Sequence, residues 1–240
     1  MKSKQNIWPL IAFAVLLINQ SVGQTPNILP KNKFGLIVIN TKAGYRQSIL
    51  DDSTKQMVAL KDFVSPLVTD FKYATTNNFT KITLYKKPIP YIRLAAAKAL
   101  QNVCTALKKQ GLGIKIFDAY RPYNVTKKMW EVVPDDRYAA NPAKGSGHNR
   151  GVAIDLTLID LLTKKELAMP TPFDDFTEKA HHNYMLLDSV VLKNRTLLKT
   201  VMEQNGFIAL ETEWWHYYLP NSSKYELLDF DFKEMKRLVR

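Results

Sequence analysis

Ser146-Gly147-His148-Asn149-Arg150-Gly151-Val152-Ala153-Ile154-Asp155-Leu156-Thr157-Leu158 is the stretch around which the rest of this 240-residue chain arranges itself. Its second half alternates. Val152, Ile154, Leu156 and Leu158 share one face of a strand, and Asp155 shares the other with Ala153 and Thr157. A carboxylate in such a strand is costly to bury unpaired, so it calls for a cation or a hydrogen-bonding partner. The first half carries a histidine seven residues before Asp155. A strand advances ~3.3 Å per residue, so both side chains reach one ion only if the chain folds back at Asn149-Arg150-Gly151. Gly151 permits that bend.

A second motif, Glu213-Trp214-Trp215-His216, brings another histidine sixty-one residues after Asp155. His148, Asp155 and His216 make two imidazoles and one carboxylate, a set that suits zinc and leaves a fourth position for water. With a glutamate nearby as base, the pattern points to a zinc hydrolase holding one Zn2+ per chain. Glu213 stands three residues before His216, which on a flat strand puts the two on opposite faces, so a bend or bulge is required. Glu211 is the rival base, and local periodicity does not choose between them.

Around these motifs the elements are short. Residues 24–50 lack strong periodicity and read as an arm with one strand at Leu36–Ile39, and Val68–Tyr73 reads as another strand. Apolar residues from Ile92 to Leu107 recur at helical spacing between Pro90 and Lys109, and Gly111 and Gly113 stop that helix. Ile114–Phe117 reads as a strand, and Asn124 as the cap of a helix reaching about Val133. Asp188–Gln204 is a helix with Val191, Leu192, Leu197, Leu198, Val201 and Met202 as its buried stripe, and Gly206 past its end. Phe207–Leu210 and Trp214–Tyr218 form a closing hairpin pair. Trp214 and Trp215 read as packing, and His181 and His182 as polar-segment residues outside the site. Without a βαβ repeat the class is α+β: one domain whose mostly antiparallel sheet is flanked by helices, with the zinc site in a cleft.

Residues 1–23 have the form of a secretory signal peptide. Lys2 and Lys4 precede an apolar run from Ile7 to Ile18, and Ser21-Val22-Gly23 supplies small residues before a cut. The apolar run is shorter than the ~20 residues a spanning helix needs. Removing 23 of 240 residues leaves 217, residues 24–240, enough for one core. The expected location is therefore periplasmic or extracellular, with no stable membrane insertion after cleavage. Cys104 is the only cysteine, so no intrachain disulfide forms, and its place in a helical apolar pattern reads as a buried inert thiol. The net charge of +12 is scattered over isolated pairs such as Lys108-Lys109 and Lys164-Lys165, which argues against a nucleic-acid partner. Oligomeric state is not legible.

The two motifs, Ser-x-His-x-x-Gly-x-Ala-x-Asp and Glu-x-Trp-His, resemble those of the zinc D-alanyl-D-alanine dipeptidases of the VanX type, within the wider D,D-peptidase and hedgehog-like metallopeptidases. Lys72-Tyr73-Ala74-Thr75-Thr76-Asn77-Asn78-Phe79-Thr80 looks like that family's early Lys-Tyr-Ala-Thr block, with Lys81 where glycine is expected. Asp118-Ala119-Tyr120-Arg121-Pro122 is similar to its central arginine motif. Met169-Pro170-Thr171-Pro172-Phe173-Asp174 is similar to its Met-Gly-Thr-x-Phe-Asp segment, with Pro170 replacing glycine. The resemblance runs from about Val68 to Tyr218.

It implies zinc on His148, Asp155 and His216, and Glu213 rather than Glu211 as base. It further implies Arg121 on the oxyanion, Asp174 against the ammonium of a dipeptide and Ser146 in substrate binding. The alternative for Arg121 is a structural ion pair with Asp118 or with a loop carboxylate. The implied activity is hydrolysis of D-alanyl-D-alanine or a similar small D,D-dipeptide, which outside the cytoplasm suits turnover of wall peptides. Two other readings compete: a D,D-carboxypeptidase or peptidoglycan endopeptidase with the same zinc chemistry, and a zinc-bearing binding domain without hydrolysis.

Overall fold

The alternation around Asp155 becomes the middle strand of the main sheet. The structure, a computed structural model, describes residues 30–239. The leader read over residues 1–23 lies outside them. In chain order the elements begin with β1 (Val38–Ile39), α1 (Lys42–Asp51), β2 (Met57–Ala59), β3 (Val68–Thr69), β4 (Tyr91–Arg93), α2 (Leu94–Lys108), β5 (Leu112–Asp118) and α3 (Tyr123–Val132). They continue with β6 (Ala153–Asp160), α4 (Ser189–Gln204), β7 (Ile208–Ala209), β8 (His216–Tyr218), β9 (Leu227–Leu228) and α5 (Phe232–Leu238).

Five strands join in the order β3-β5-β6-β8-β7. Only β3 and β5 run parallel; the other neighbours are antiparallel, as the α+β reading expects. The even residues of β6 explain one layer. Ile154, Leu156 and Leu158 pack with Ile114 and Ile116 of β5 under the buried stripes of α2 (Leu100, Val103, Leu107) and α4 (Leu198, Val201, Met202). Each such side chain contributes about 1.5–3 kcal/mol when fully buried. A second apolar cluster, including Tyr45, Tyr120, Met129, Phe230, Phe232 and Met235, ties α1, α3 and α5 together. β1 pairs in parallel with β9, and β2 antiparallel with β4.

Several boundaries differ from the sequence reading. The residues expected to open the α2 helix, Tyr91–Arg93, are instead extended in β4. Arg93 is fully buried there and donates to the carbonyls of Lys55, Arg150 and Glu226, an anchoring that apolar periodicity does not register. Among the described residues of the arm, β1 has two residues where a strand over Leu36–Ile39 is expected, and α1 follows, its Thr41 side chain capping the Gly44 N–H at 3.2 Å. Pairing of the Val68–Tyr73 segment stops at Thr69, and Lys72–Ala74 is a 3-10 turn. Asn124 lies inside α3 rather than capping it; its N–H is satisfied by Asp229 at 2.8 Å, from 105 residues away. In α4 the buried positions are Arg195, Leu198, Val201 and Met202, while Val191, Leu192 and Leu197 are half-buried.

Beyond Tyr218 the structure adds β9 and α5. A capping box starts α5, with Asp231 accepting from Glu234 N and Glu234 accepting from Asp231 N. Cys104 is half-buried, and burial pushes its thiol up to about 12, which leaves it protonated and inert. Among the described residues no helix is long and apolar enough to cross a membrane.

Candidate metal centre

Strand register builds half of this site. Asp118 pairs with Asp155 across β5 and β6, and Asp155 pairs with His216 across β6 and β8. Residues directly opposite in antiparallel strands project from the same face, so these three form one row. The β5–β6 ladder slips between Ile116 and Asp118, leaving Phe117 as the extra residue of a bulge. The bulge aims Asp118 at the row and stacks Phe117 on Phe173, with ring centroids 4.7 Å apart.

His148 comes from the loop before β6, and the fold-back occurs where the sequence requires it. Gly151 sits at φ +69, and a Cβ there would stand 2.8 Å from Met57 Sδ. The loop is held from several sides. Arg121 N donates to His148 O at 3.2 Å, Leu228 N of β9 donates to Asn149 O at 2.9 Å, and the Arg150 guanidinium donates to Tyr225 O.

The donor atoms converge. His216 Nδ1 lies 2.8 Å from Asp155 Oδ1, His148 Nε2 lies 3.3 Å from Asp155 Oδ2, and the two ring nitrogens are 3.3 Å apart. His148 Nδ1 is 2.7 Å from the carbonyl of Ala119, which can only accept. That contact keeps the proton on Nδ1 and leaves the Nε2 lone pair facing Asp155 and His216. Burial opposes ionisation of Asp155, but the imidazoles of His148 and His216 outweigh it and hold the carboxyl well below its usual range. Two imidazole nitrogens and a carboxylate, all within 4.8 Å of one another and pointing at a common space, fit a zinc ion. They are the three residues the sequence singles out.

The two glutamates lie in different surroundings. Glu211 is exposed and bonds Lys199 at 2.7 Å. Glu213 opens a turn closed by His216 N donating to Glu213 O, the bend its spacing requires, so the strand expected from Trp214 begins only at His216. The turn brings its Oε2 to 3.9 Å from His216 Nδ1. Burial pushes Glu213 up to about 7, against the pull of His216.

Arg121 is buried and paired with Asp118: its Nε and Nη2 both donate to Asp118 Oδ2, at 2.9 and 2.7 Å. The structural ion pair is therefore real. Arg121 Nη1 makes no hydrogen bond among the described residues, and the side chain borders the cavity. The Tyr73 ring lies 5.0 Å from the guanidinium carbon, and the Tyr73 hydroxyl donates to Asp174 Oδ1 at 2.9 Å. Asp174 has φ +62, and its Oδ2 is enclosed with no hydrogen-bond partner. Burial pushes Asp174 up to about 7, against the Tyr73 hydrogen bond. Ser146 Oγ accepts from His148 N at 3.1 Å, so its own hydrogen remains available.

Ser146, His148, Asp155, Asp174, Glu213, His216 and Arg121 border one cavity of about 240 Å³. A larger groove of about 910 Å³, walled by lysines such as Lys86, Lys128 and Lys233, contains none of them. Trp215 walls the smaller cavity, whereas Trp214 is buried with its ring N–H on Thr171 at 2.9 Å. His182 packs on Tyr217, and neither it nor His181 borders the cavity. The sequence reading missed the tyrosine network. Tyr73 was visible only as part of a motif, and nothing local marks Tyr85, whose hydroxyl bonds Asp118.

A profile described as D-ala-D-ala dipeptidase matches residues 53–235. The D-alanyl-D-alanine dipeptidase of Escherichia coli (strain K12) is 34% identical over 179 residues, covering 75% of this chain and 92% of that one. That of Enterococcus faecium is 30% identical over 198 residues, covering 72% and 95%. That of Streptomyces coelicolor is 31% identical over 210 residues, covering 75% and 98%. A solved structure of VanYB in complex with D-alanine-D-alanine overlaps 58% of this chain and 77% of that one, at 13% identity and a TM-score of 0.38, a likeness too slight to draw on.

Proposed function

The chain belongs to the D-alanyl-D-alanine dipeptidase family of metallopeptidases, and on that premise we propose that it hydrolyses D-alanyl-D-alanine, or a similarly small D,D-dipeptide, to free amino acids. His148, Asp155 and His216 would hold one zinc ion, which when bound polarises the scissile carbonyl and eases ionisation of a water molecule. The observation that carries the dipeptide reading is the enclosed, unpartnered Oδ2 of Asp174 in the same cavity. A free amino terminus brings an ammonium to that oxygen. An acylated or longer peptide leaves it unpaired, which disfavours binding. The cavity of about 240 Å³ falls below the roughly 300–1,000 Å³ usual for ligand pockets, in keeping with a very small substrate.

Within that frame each side chain has a task. Glu213 removes the proton of the attacking water and returns it to the leaving amine as the C–N bond breaks, and a carboxyl raised toward neutrality suits both duties. Arg121 offers Nη1 to the oxyanion while Asp118 keeps the guanidinium in place. The Ser146 hydroxyl donates to the substrate carboxylate. The leader-like residues 1–23 support export, and a dipeptidase outside the cytoplasm would act on wall-turnover peptides. Recovery of the mature protein only from the cytoplasmic fraction would remove that part.

The deciding experiment is release of D-alanine from D-Ala-D-Ala and from its N-acetyl derivative, with and without a chelator. Chelator-sensitive cleavage of the free dipeptide alone is expected. Cleavage of the acetylated form would make the protein a carboxypeptidase, and cleavage of neither would favour a zinc-bearing binding domain.

A further inference from the structure

Asp118 is fully buried, and its two oxygens serve different neighbours. Oδ2 accepts both bonds from Arg121 and lies 3.8 Å from His148 Nδ1. Oδ1 accepts the hydroxyl of Tyr85 at 2.5 Å. Tyr85 does not border the small cavity; it forms part of the wall of the larger groove. Its ring is buried edge-on to Tyr73 and Phe232, with centroids 6.2 and 5.2 Å away, so the hydroxyl is held in one place.

A carboxylate turns readily about its last side-chain bond, where the torsional preference is broad. The Tyr85 hydroxyl removes that freedom. Bonded to Oδ1, it leaves only Oδ2 for the arginine, and the fork of Arg121 then has one orientation. We infer that Tyr85 is a positioning residue for hydrolysis: acting through Asp118, it fixes the Arg121 guanidinium so that Nη1 remains free for the oxyanion. The inference rests on the proposed role of Arg121. Without the hydroxyl, Oδ1 is buried and unpaired, and the carboxylate regains its bond by turning. That turn drags the guanidinium with it or draws Asp118 toward His148 Nδ1.

The test compares zinc-loaded wild-type protein with Tyr85→Phe and Phe232→Leu. The readouts are kcat and KM for D-Ala-D-Ala, zinc content, melting temperature and calorimetric affinity for a phosphinate analogue of the dipeptide, whose tetrahedral anion mimics the reacting centre. Tyr85→Phe keeps the ring and should fold. It is expected to lower kcat and phosphinate affinity together by about 10- to 100-fold, the scale of a small misplacement of a catalytic group. KM and zinc content should stay within twofold. Phe232→Leu loosens the same packing but keeps the hydroxyl, and it should lower the melting temperature with kcat and phosphinate affinity unchanged. Wild-type kcat and phosphinate affinity in Tyr85→Phe would overturn the inference, as would a kcat loss in both variants that merely tracks stability, or loss of zinc from Tyr85→Phe. Wild-type protein that neither cleaves the dipeptide nor binds the phosphinate would sink the dipeptidase reading and this inference with it.

Discussion

Asp118 and Asp155 face each other across the β5–β6 ladder, at the place where that ladder slips by one residue. Opposed carboxylates repel, and each has its own compensation: the Arg121 guanidinium for Asp118, and for Asp155 the proposed zinc it would share with His148 and His216. Removing the metal takes away the stronger half of that compensation. A chelator should therefore lower the melting temperature by several degrees, since a ligand at about 100 times its Kd contributes ~2.7 kcal/mol. Asp155→Ala should melt at one temperature with or without chelator. Differential scanning calorimetry checks both, and chelator-sensitive melting in that variant would move the metal elsewhere.

The two glutamates give a paired test. Glu213→Gln should lower kcat by about 10²- to 10⁴-fold, the usual worth of a positioned base, with zinc content by atomic absorption unchanged. Glu211→Gln, which loses only a surface bond to Lys199, should turn over normally. Full activity in the first variant would remove Glu213 as the base.

Two raised carboxyls shape the pH dependence. Glu213 and Asp174 are each pushed up to about 7 by burial, and both must be ionised in the free enzyme. As pH falls below about 7, log kcat/KM should drop with a slope approaching 2. In Asp174→Asn the slope should become 1, and KM should rise roughly 10- to 100-fold for the lost charge-assisted bond. Stability follows the opposite sign. A carboxyl whose pKa is higher folded than unfolded stabilises the protein below about 4, and that contribution is lost as pH rises through about 7. Asp174→Asn should therefore melt with the wild type near pH 4 and above it at pH 8. A slope of 1 in the wild type would mean that only one of the two carboxyls controls the acid limb.

Lys81 carries a backbone conformation suited to another residue. It stands where the resemblance expects glycine, and its φ is +58. The left-handed region costs a side-chain-bearing residue about 1–2 kcal/mol, partly offset by the extra freedom glycine gains when unfolded. Lys81→Gly should raise the melting temperature by about 2 °C, a shift thermal unfolding resolves. A lower melting temperature would show that the lysine side chain contributes more than its backbone strain costs.

How far the sequence could be read depended on how local each cause was. His148, Gly151 and Asp155 lie within one short stretch, so the bend and the alternating strand were both legible. Asp188 and Gly206 bracket α4 for the same reason. Glu211 and Glu213 could not be told apart by periodicity, because a turn from Glu213 to His216 replaces the start of the strand read from Trp214. Asn124 looked like a cap because the true partner of its N–H, Asp229, is 105 residues away. α1 escaped notice because among Lys42–Asp51 only Gly44, Tyr45 and Ser48 are buried, which makes no apolar stripe. α5 had a readable signal in Asp231 and Glu234 that went unread. Tyr85 had none: its role arises from a carboxylate thirty-three residues on, reached through the bulge in β5.

The clamp of β9 on the His148 loop has a consequence for how the protein is made. Of the site's donors His148 and Asp155 are synthesised first, His216 sixty-one residues after Asp155, and Leu228, whose N–H holds Asn149 O, later still. At roughly 5–20 residues per second, a ribosome needs on the order of 4–16 s to travel from the first histidine to that strand. All three proposed donors exist once His216 is made, but until Leu228 arrives the His148 loop lacks this clamp, and a chain ended after Tyr218 should bind zinc more weakly than the full chain in an equilibrium dialysis. Tight loading of the proposed zinc would thus come late in biogenesis, and the compartment in which the chain completes its folding would have to supply the metal.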